Sequence, residues 1–207
     1  MTTEQERMLA GEMYNSMDAD LVAQRESAHN DCLAYNQLPE AAETERQTLV
    51  DHLMPNHGEG CYLQGPVQFD YGRYITVGDN FYANFNFTVL DEAPITVGNN
   101  VMCGPNVTLV TALHPLRYQQ RNMKTKDRDG EDYSYEHALP ITIGDNCWLA
   151  SNVTVIGGVT IGSGCVIGAG SVVVKDIPAN SLAVGNPCRV VREITEADQL
   201  GADGMPR

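Results

Sequence analysis

The chain has 207 residues, with 13 Lys and Arg against 27 Asp and Glu and a formal net charge of −14. That length suits one domain with a small appendage, and the acidic balance excludes the cationic face that nucleic acid or an anionic membrane surface recruits. Hydrophobic residues make up 43% and charged residues 19%, a globular composition with no apolar run approaching the ~18 residues of a membrane span.

The opening stretch MTTEQERMLAGEMYN has no basic start followed by an apolar run, so no export signal is expected. Six Cys without a CxxC pair read as free thiols, which fits a reducing, cytoplasmic location and excludes zinc-knuckle or thioredoxin-like chemistry. Residues 1–57 then carry helical spacing. Thr3 and Glu6 form a capping box ahead of Met8, Leu9 and Met13. Asp18 opens a second helix, along which Leu21, Val22, Arg25, Ala28, His29, Cys32 and Leu33 recur at helical intervals. Pro39 opens a third, with Leu49, Val50, Leu53 and Met54 on one side, and Pro55, Asn56, His57 and Gly58 close it. Helices this short are expected to cover another element.

From about residue 60 the period changes to six. Near-copies begin at Ile75 (ITVGDN), Ile95 (ITVGNN), Ile141 (ITIGDN) and Val159 (VTIGSG). Reading in sixes from Ile141 gives ITIGDN, CWLASN, VTVIGG, VTIGSG, CVIGAG, SVVVKD, IPANSL and AVGNPC. The upstream sixes ITVGDN, FYANFN, FTVLDE, ITVGNN, VMCGPN and VTLVTA follow the same rule, with an apolar or small first residue. Inward residues at positions one and three, with Gly, Asn or Asp where the chain must turn, predict a parallel β-helix of short strands. The period breaks between Ile95 and Ile141. Residues 113–140 are either a 28-residue excursion or one degenerate turn with a 10-residue insertion. A solenoid needs capped ends. The helices serve one end, and RVVREITEADQL after Cys188 is expected to form a short helix at the other, ahead of a disordered tail, GADGMPR. The chain thus divides into 1–57, 58–188 and 189–207.

Several motifs resemble the maltose and galactoside O-acetyltransferases, a family of hexapeptide-repeat acyltransferases. They are Phe81-Tyr-Ala-Asn84-Phe-Asn86, Pro105-Asn-Val, His114-Pro115, Pro140-Ile-Thr-Ile-Gly144, Trp148, Ile167-Gly-Ala-Gly-Ser171, Lys175-Asp-Ile-Pro178 and Gly185-Asn-Pro. Met8-Leu-Ala-Gly11 followed by Tyr14 matches the family's opening, and the resemblance covers about residues 6 to 195. It implies a mainly β, left-handed parallel β-helix with an N-terminal helical segment. It also implies acetyl transfer from acetyl-CoA to a hydroxyl of a neutral sugar, and a homotrimer with sites between subunits.

Such a transfer needs a base for the hydroxyl, a donor for the oxyanion and alignment of both substrates. His114, at the break in the period, is the candidate general base, because imidazole exchanges protons near neutral pH. The resemblance adds Asn84 as a polar group that positions the hydroxyl. It places Ser16, Arg25, Asp70, Tyr82, Asp91, Glu92 and Glu136 at the acceptor. Ser16 and Glu92 stand where relatives often carry Asp. For acetyl-CoA it implies Trp148 and Ser151 beside the thioester, the Ser151 amide as oxyanion donor, and Ala169 along the pantetheine. Lys175, Arg189 and Arg192 fall at the adenine-end phosphates, which Arg binds in bidentate fashion. Val174 replaces a Thr of relatives.

A Cys–His acyl-enzyme is the mechanistic alternative, but Cys103, Cys147 and Cys165 fall on inward positions, so direct transfer is expected. Other readings of the coil are a zinc hydratase, weak because only His114 and His137 lie near the break, and a non-catalytic scaffold. An oligosaccharide, xenobiotic or amine acceptor is the alternative within the enzyme class. No metal is expected.

Overall fold

The computed structural model describes residues 2–122, 125–126, 132–133 and 135–201, with backbone alone for 125–126 and 132–133. Three faces of short parallel strands wind into a prism. The first face stacks Ile75–Val77, Ile95–Val97, Ile141–Ile143 and Thr160–Ile161. The second stacks Tyr62–Leu63, Tyr82–Ala83, Met102–Cys103, Trp148–Leu149, Val166–Ile167 and Ser181–Val184. The third stacks Val67–Phe69, Phe87–Leu90, Thr108–Val110, Thr154–Ile156 and Val172–Val173. Register is in phase with the repeat, pairing Ile75, Ile95 and Ile141, and then Thr142 with Thr160. Because successive side chains alternate between faces, positions one and three of each six point inward. Ile75, Phe81, Phe87, Ile95, Val101, Val107, Ile141 and Val153 form one continuous buried column.

The corners follow from backbone geometry. Asn80, Asn86, Asn100, Asn106, Asn146 and Asn152 all have φ between 55° and 60°, the left-handed region that Asn tolerates better than branched residues. Stacked corner amides then bond coil to coil. Asn86 Nδ2 donates to Asn106 Oδ1 at 2.8 Å, and Asn106 Nδ2 to Asn152 Oδ1 at 3.0 Å.

One corner, between the third face and the first, carries every insertion. Two residues are added between the strands Val67–Phe69 and Ile75–Val77, and again between Phe87–Leu90 and Ile95–Val97. The long break falls at the same corner. Met102 pairs directly with Trp148 and Thr108 with Thr154, so no further coil intervenes and residues 113–140 are the 28-residue excursion. Within it Ala112–Leu113 pairs antiparallel with Tyr135–Ala138, and Tyr14–Asn15 adds to the other edge of that strand.

At the N-terminal end, α1 (Glu4–Leu9) has the expected Thr3–Glu6 capping box, and α2 (Ala19–Gln37) is capped by the Asp18 side chain. The third helix, α3 (Glu43–Leu53), begins at Glu43 rather than at Pro39. Leu38 is already extended, which leaves Pro39 in the connecting turn. Ala28, Cys32 and Tyr35 from α2 and Val50 and Leu53 from α3 continue the prism's own core, so this end is capped by apolar burial.

The other end differs from the sequence reading. Arg189–Glu193 is a strand, antiparallel to Ser181–Val184, and only Glu196–Asp198 forms a single 3₁₀ turn. The open edge of the last coil offers unpaired backbone groups, and β-branched Val190 and Val191 suit a strand better than a helix. The hexad frame also slips there: Ile161 pairs with Ile177 and Val166 with Leu182, which puts Ile177 at position three instead of one. All six cysteines are free and buried. Among the described residues no helix is long and apolar enough to cross a membrane.

Candidate active site

The corner that carries the insertions holds a cleft of about 480 Å³, lined by Ser16, Arg25, Asp70, Glu92, His114 and Glu136 among others. Five of the seven residues expected at the acceptor thus meet around the expected base. Three pieces of chain build it: the excursion brings His114 and Glu136, the widened corners bring Asp70 and Glu92, and the helical segment brings Ser16 and Arg25. Beneath lies a small separate core of Met8, Tyr14, Leu21 and Tyr71, which ties the segment to the corner.

Each polar group has an identifiable holder. Arg25 donates to the Tyr71 hydroxyl at 2.7 Å and to the Ser16 carbonyl at 2.6 Å. Glu136 accepts from the Tyr14 hydroxyl at 3.1 Å and from the Ser16 hydroxyl at 3.0 Å. His114 Nδ1 stands 4.0 Å from Glu136 Oε1, with the imidazole half-exposed to the cleft. Glu92 is 5% exposed. Burial, reinforced by the neighbouring Asp70, pushes its carboxyl well above the ordinary range. The Thr111 hydroxyl lies 3.1 Å from Glu92 Oε2 and 2.7 Å from the Leu90 carbonyl.

Asp91 does not face the cleft. Fully buried, it accepts from the Tyr71 and Gly72 amides through Oδ1 and from the Tyr74 amide through Oδ2. It clamps the preceding widened corner, and both its oxygens are turned away from the cavity. Conversely, His29 and Tyr14 line the cleft although neither was expected there; His29 Nε2 is 3.3 Å from Asp70 Oδ1. The four-residue step from Arg25 to His29 puts both on one side of α2, a signal legible in the sequence.

A second, separate hollow of about 630 Å³ runs along the second face, lined by Tyr82, Asn84, Gly104, Trp148, Ser151 and Ala169 among others. Tyr82 and Asn84 therefore lie in this groove and not in the cleft with His114. Tyr82, Met102, Trp148, Val166 and Leu182 form one outward ladder, each paired with the next. Small residues at the neighbouring corner leave the floor open. Asn84 is not a turn residue. Its φ is not left-handed, whereas Asn86 takes that role, and Asn84 Oδ1 accepts from the Phe85 amide, leaving its NH₂ for another partner. The Ser151 amide donates to no group among the described residues.

The expected phosphate-binding cations divide. Arg189 and Arg192 sit on the strand opposite Val184 and Leu182, where the ladder ends. Arg192, however, is drawn off by Asp198, which takes both guanidinium nitrogens at 2.8 and 2.6 Å. Lys175 is exposed on the turn after Val172–Val173, outside the groove lining. The inward cysteines are poor nucleophiles. Burial pushes the Cys103 thiol up to about 12 and Cys147 up to about 11, and the thiolate is the reactive form. Among the described residues no cluster of three His, Cys, Asp or Glu could hold a metal ion.

Comparison with known proteins agrees with this architecture. Residues 7–58 match the maltose acetyltransferase hexapeptide capping motif, and residues 140–175 the bacterial transferase hexapeptide of six repeats. A galactoside O-acetyltransferase of Escherichia coli strain K12 is 41% identical over 194 residues, spanning 94% of this chain and 91% of that protein. Among solved structures, a maltose O-acetyltransferase from Clostridium difficile 630 superposes with a TM-score of 0.86 at 41% identity, covering 94% of this chain and 98% of the other. A galactoside acetyltransferase in complex with coenzyme A gives 0.88 at 38% identity, covering 98% and 96%.

Proposed function

The chain belongs to the maltose and galactoside O-acetyltransferase family of hexapeptide-repeat proteins, and from that premise we propose how it works. It is an acyltransferase with acetyl-CoA as co-substrate, and its acceptor is a hydroxyl of a neutral sugar. The observation that carries the acceptor reading is the cleft of His114, Asp70, Glu92 and Glu136. Carboxyl groups suit the many O–H donors of a polyol, and carboxylates repel anionic acceptors.

His114 takes the proton of the attacking hydroxyl as the oxygen adds to the thioester carbonyl; the tetrahedral oxyanion then collapses, the C–S bond breaks, and the imidazolium gives its proton to the departing CoA sulfur, leaving the acetyl ester and free CoA. The groove along the second face fits the pantetheine arm, since it is mostly apolar, floored by small residues and open at the Ser151 amide, a donor suited to the developing oxyanion. Arg189, at the end of the ladder, is suited to the adenine-end phosphates, with Lys175 nearer solvent. Arg192 contributes less because Asp198 neutralises it.

His114 and Asn84 line different hollows of one chain, yet the reaction needs base and hydroxyl-positioning group on one substrate. That separation supports a homotrimer in which the cleft of one subunit meets the groove of the next. Met102 and Trp148, half-exposed on the groove face, support burial between copies.

The test is CoA release with glucose, maltose, a thiogalactoside, glucose 6-phosphate and a hydrophobic amine at equal concentration. The neutral hexosides should lead, and His114→Ala should lower their turnover by at least about 100-fold with unchanged circular dichroism. A phosphate sugar or amine as the best substrate would overturn the neutral-sugar reading while leaving His114 in place.

A further inference from the structure

The outward ladder of the second face begins one coil before the groove. Tyr62 pairs with Tyr82, and the two rings lie parallel, 6.0 Å apart with 3° between their planes. Tyr82 lines the groove, whereas Tyr62 lines a third hollow, of about 320 Å³, between the first coil and the helical cap. Tyr35 and the α3 residues Glu43, Arg46, Gln47 and Val50 contribute its other walls. The Tyr62 ring, 43% exposed, stands open where the hollow and the groove adjoin.

One wall of this hollow is a charge without a counter-ion. Arg46 is 7% exposed. Its Nε donates to the Tyr35 hydroxyl at 3.2 Å, and its Nη2 to the same hydroxyl at 2.8 Å and to the Leu63 and Gln64 carbonyls at 2.9 Å. The guanidinium carbon lies 4.6 Å from the centroid of the Tyr35 ring. All these partners are neutral, and among the described residues no carboxylate stands within ion-pair distance. Nη1 has no partner among the described residues and is not sealed from solvent. Nε and Nη2 are enough to anchor the first coil to the cap, so Nη1 is surplus to that task. A cation this deeply placed gains from any acceptor that uses its remaining donor.

The rest of the hollow narrows the choice of acceptor. Glu40 and Glu43 also line it, Glu40 taking a hydrogen bond from the Gln64 amide. An anion would meet Arg46 but also these two carboxylates, on a chain of net charge −14. A neutral saccharide matches every group: its oxygens accept from Nη1, its hydroxyls donate to the carboxylates, and the C–H face of a pyranose covers the Tyr62 ring. We infer that this hollow holds the distal unit of an oligosaccharide acceptor whose reacting unit lies at Tyr82 and Asn84, with Tyr62 as the aromatic surface between the two. The inference rests on the neutral-sugar reading above. Adjacent strands are ~4.8 Å apart, a step comparable to that from one linked pyranose to the next. The protein therefore prefers acceptors of two or more hexose units to a single hexose.

CoA release by the full-length protein with glucose, maltose and maltotriose tests it, in the wild type and in Tyr62→Ala, Tyr62→Phe and Gln47→Trp, the last of which fills the hollow from an exposed position on α3. The wild-type KM for maltotriose should lie about 10-fold or more below that for glucose. Tyr62→Ala and Gln47→Trp should each shrink that advantage to within about threefold, with the glucose kcat and KM within about twofold of wild type as the control for folding. Tyr62→Phe, which keeps the ring, should retain the advantage. Equal KM for glucose and maltotriose in the wild type would overturn this inference alone, as would a Tyr62→Ala variant whose KM rises equally for both. Competition by inorganic phosphate against maltotriose but not against glucose would make Arg46 part of an anion site and overturn it too. Acetylation of none of the three sugars would remove the neutral-sugar reading, and this inference with it.

Discussion

At the residue scale, the carboxyl groups of the insertion corner divide by what surrounds them. Asp91 has three amide donors and serves the backbone. Glu92, one residue on, is enclosed beside Asp70 and the Thr111 hydroxyl, and its pKa is raised by burial first and by Asp70 second. Its folded pKa thus lies above the unfolded one. The stability its neutral form contributes is complete below the unfolded value and is lost as pH rises through the folded value. Glu92→Gln is neutral throughout. Thermal melts at pH 5, 7 and 9 should therefore show the wild type losing ground to Glu92→Gln as pH rises. A constant difference in Tm would mean that Glu92 is ionised across the range.

At the scale of the coil, corner Asn residues join two requirements that a single substitution can separate. Asn106 holds φ at 60° and links Asn86 to Asn152. Gly keeps the backbone and loses the ladder, whereas a β-branched residue loses both. Asn106→Val should be less stable than Asn106→Gly by about 1–2 kcal/mol, the cost of a left-handed branched residue, measured by urea unfolding. Equal stability would mean that the corner relaxes out of the left-handed region. The same scale explains where hexad reading held and where it slipped. Two divides six, so the two-residue slip before Ile177 leaves Ile177 and Ala183 buried, and an inward pattern cannot reveal the change of register. At Arg189–Glu193 a strand stands where a capping helix was expected, because the open edge of the last coil selects a strand.

For the whole molecule, the proposed reaction across two separate hollows sets a requirement on assembly. Light scattering should give a mass near three chains, and a monomer at micromolar concentration would contradict a site shared between copies. Complementation is sharper. His114→Ala and Asn84→Ala chains, each inactive alone, should regain part of the activity when unfolded and refolded together, because some mixed trimers contain one intact cleft facing one intact groove. Mixed chains as inactive as the separate ones would place both residues in the same subunit's site.

The sequence by itself determined the prism and its corners, because a period of six is a local rule repeated coil after coil, and helical spacing marked the N-terminal cap. Resemblance to the family singled out His114, Ser16, Arg25, Asp70, Glu92 and Glu136, and the fold brings these six to one cleft. Tertiary structure alone decided that every insertion stacks on one corner and that Asp91 turns inward while Glu92 borders the cleft. It also decided that Tyr82 and Asn84 face the other hollow, and that Arg192 is taken by Asp198. These outcomes depend on which coil lies above which, and on partners distant in the chain such as Tyr14 and Glu136. No local spacing encodes that stacking; it follows from the backbone pairing of coils and from the burial that closes each corner.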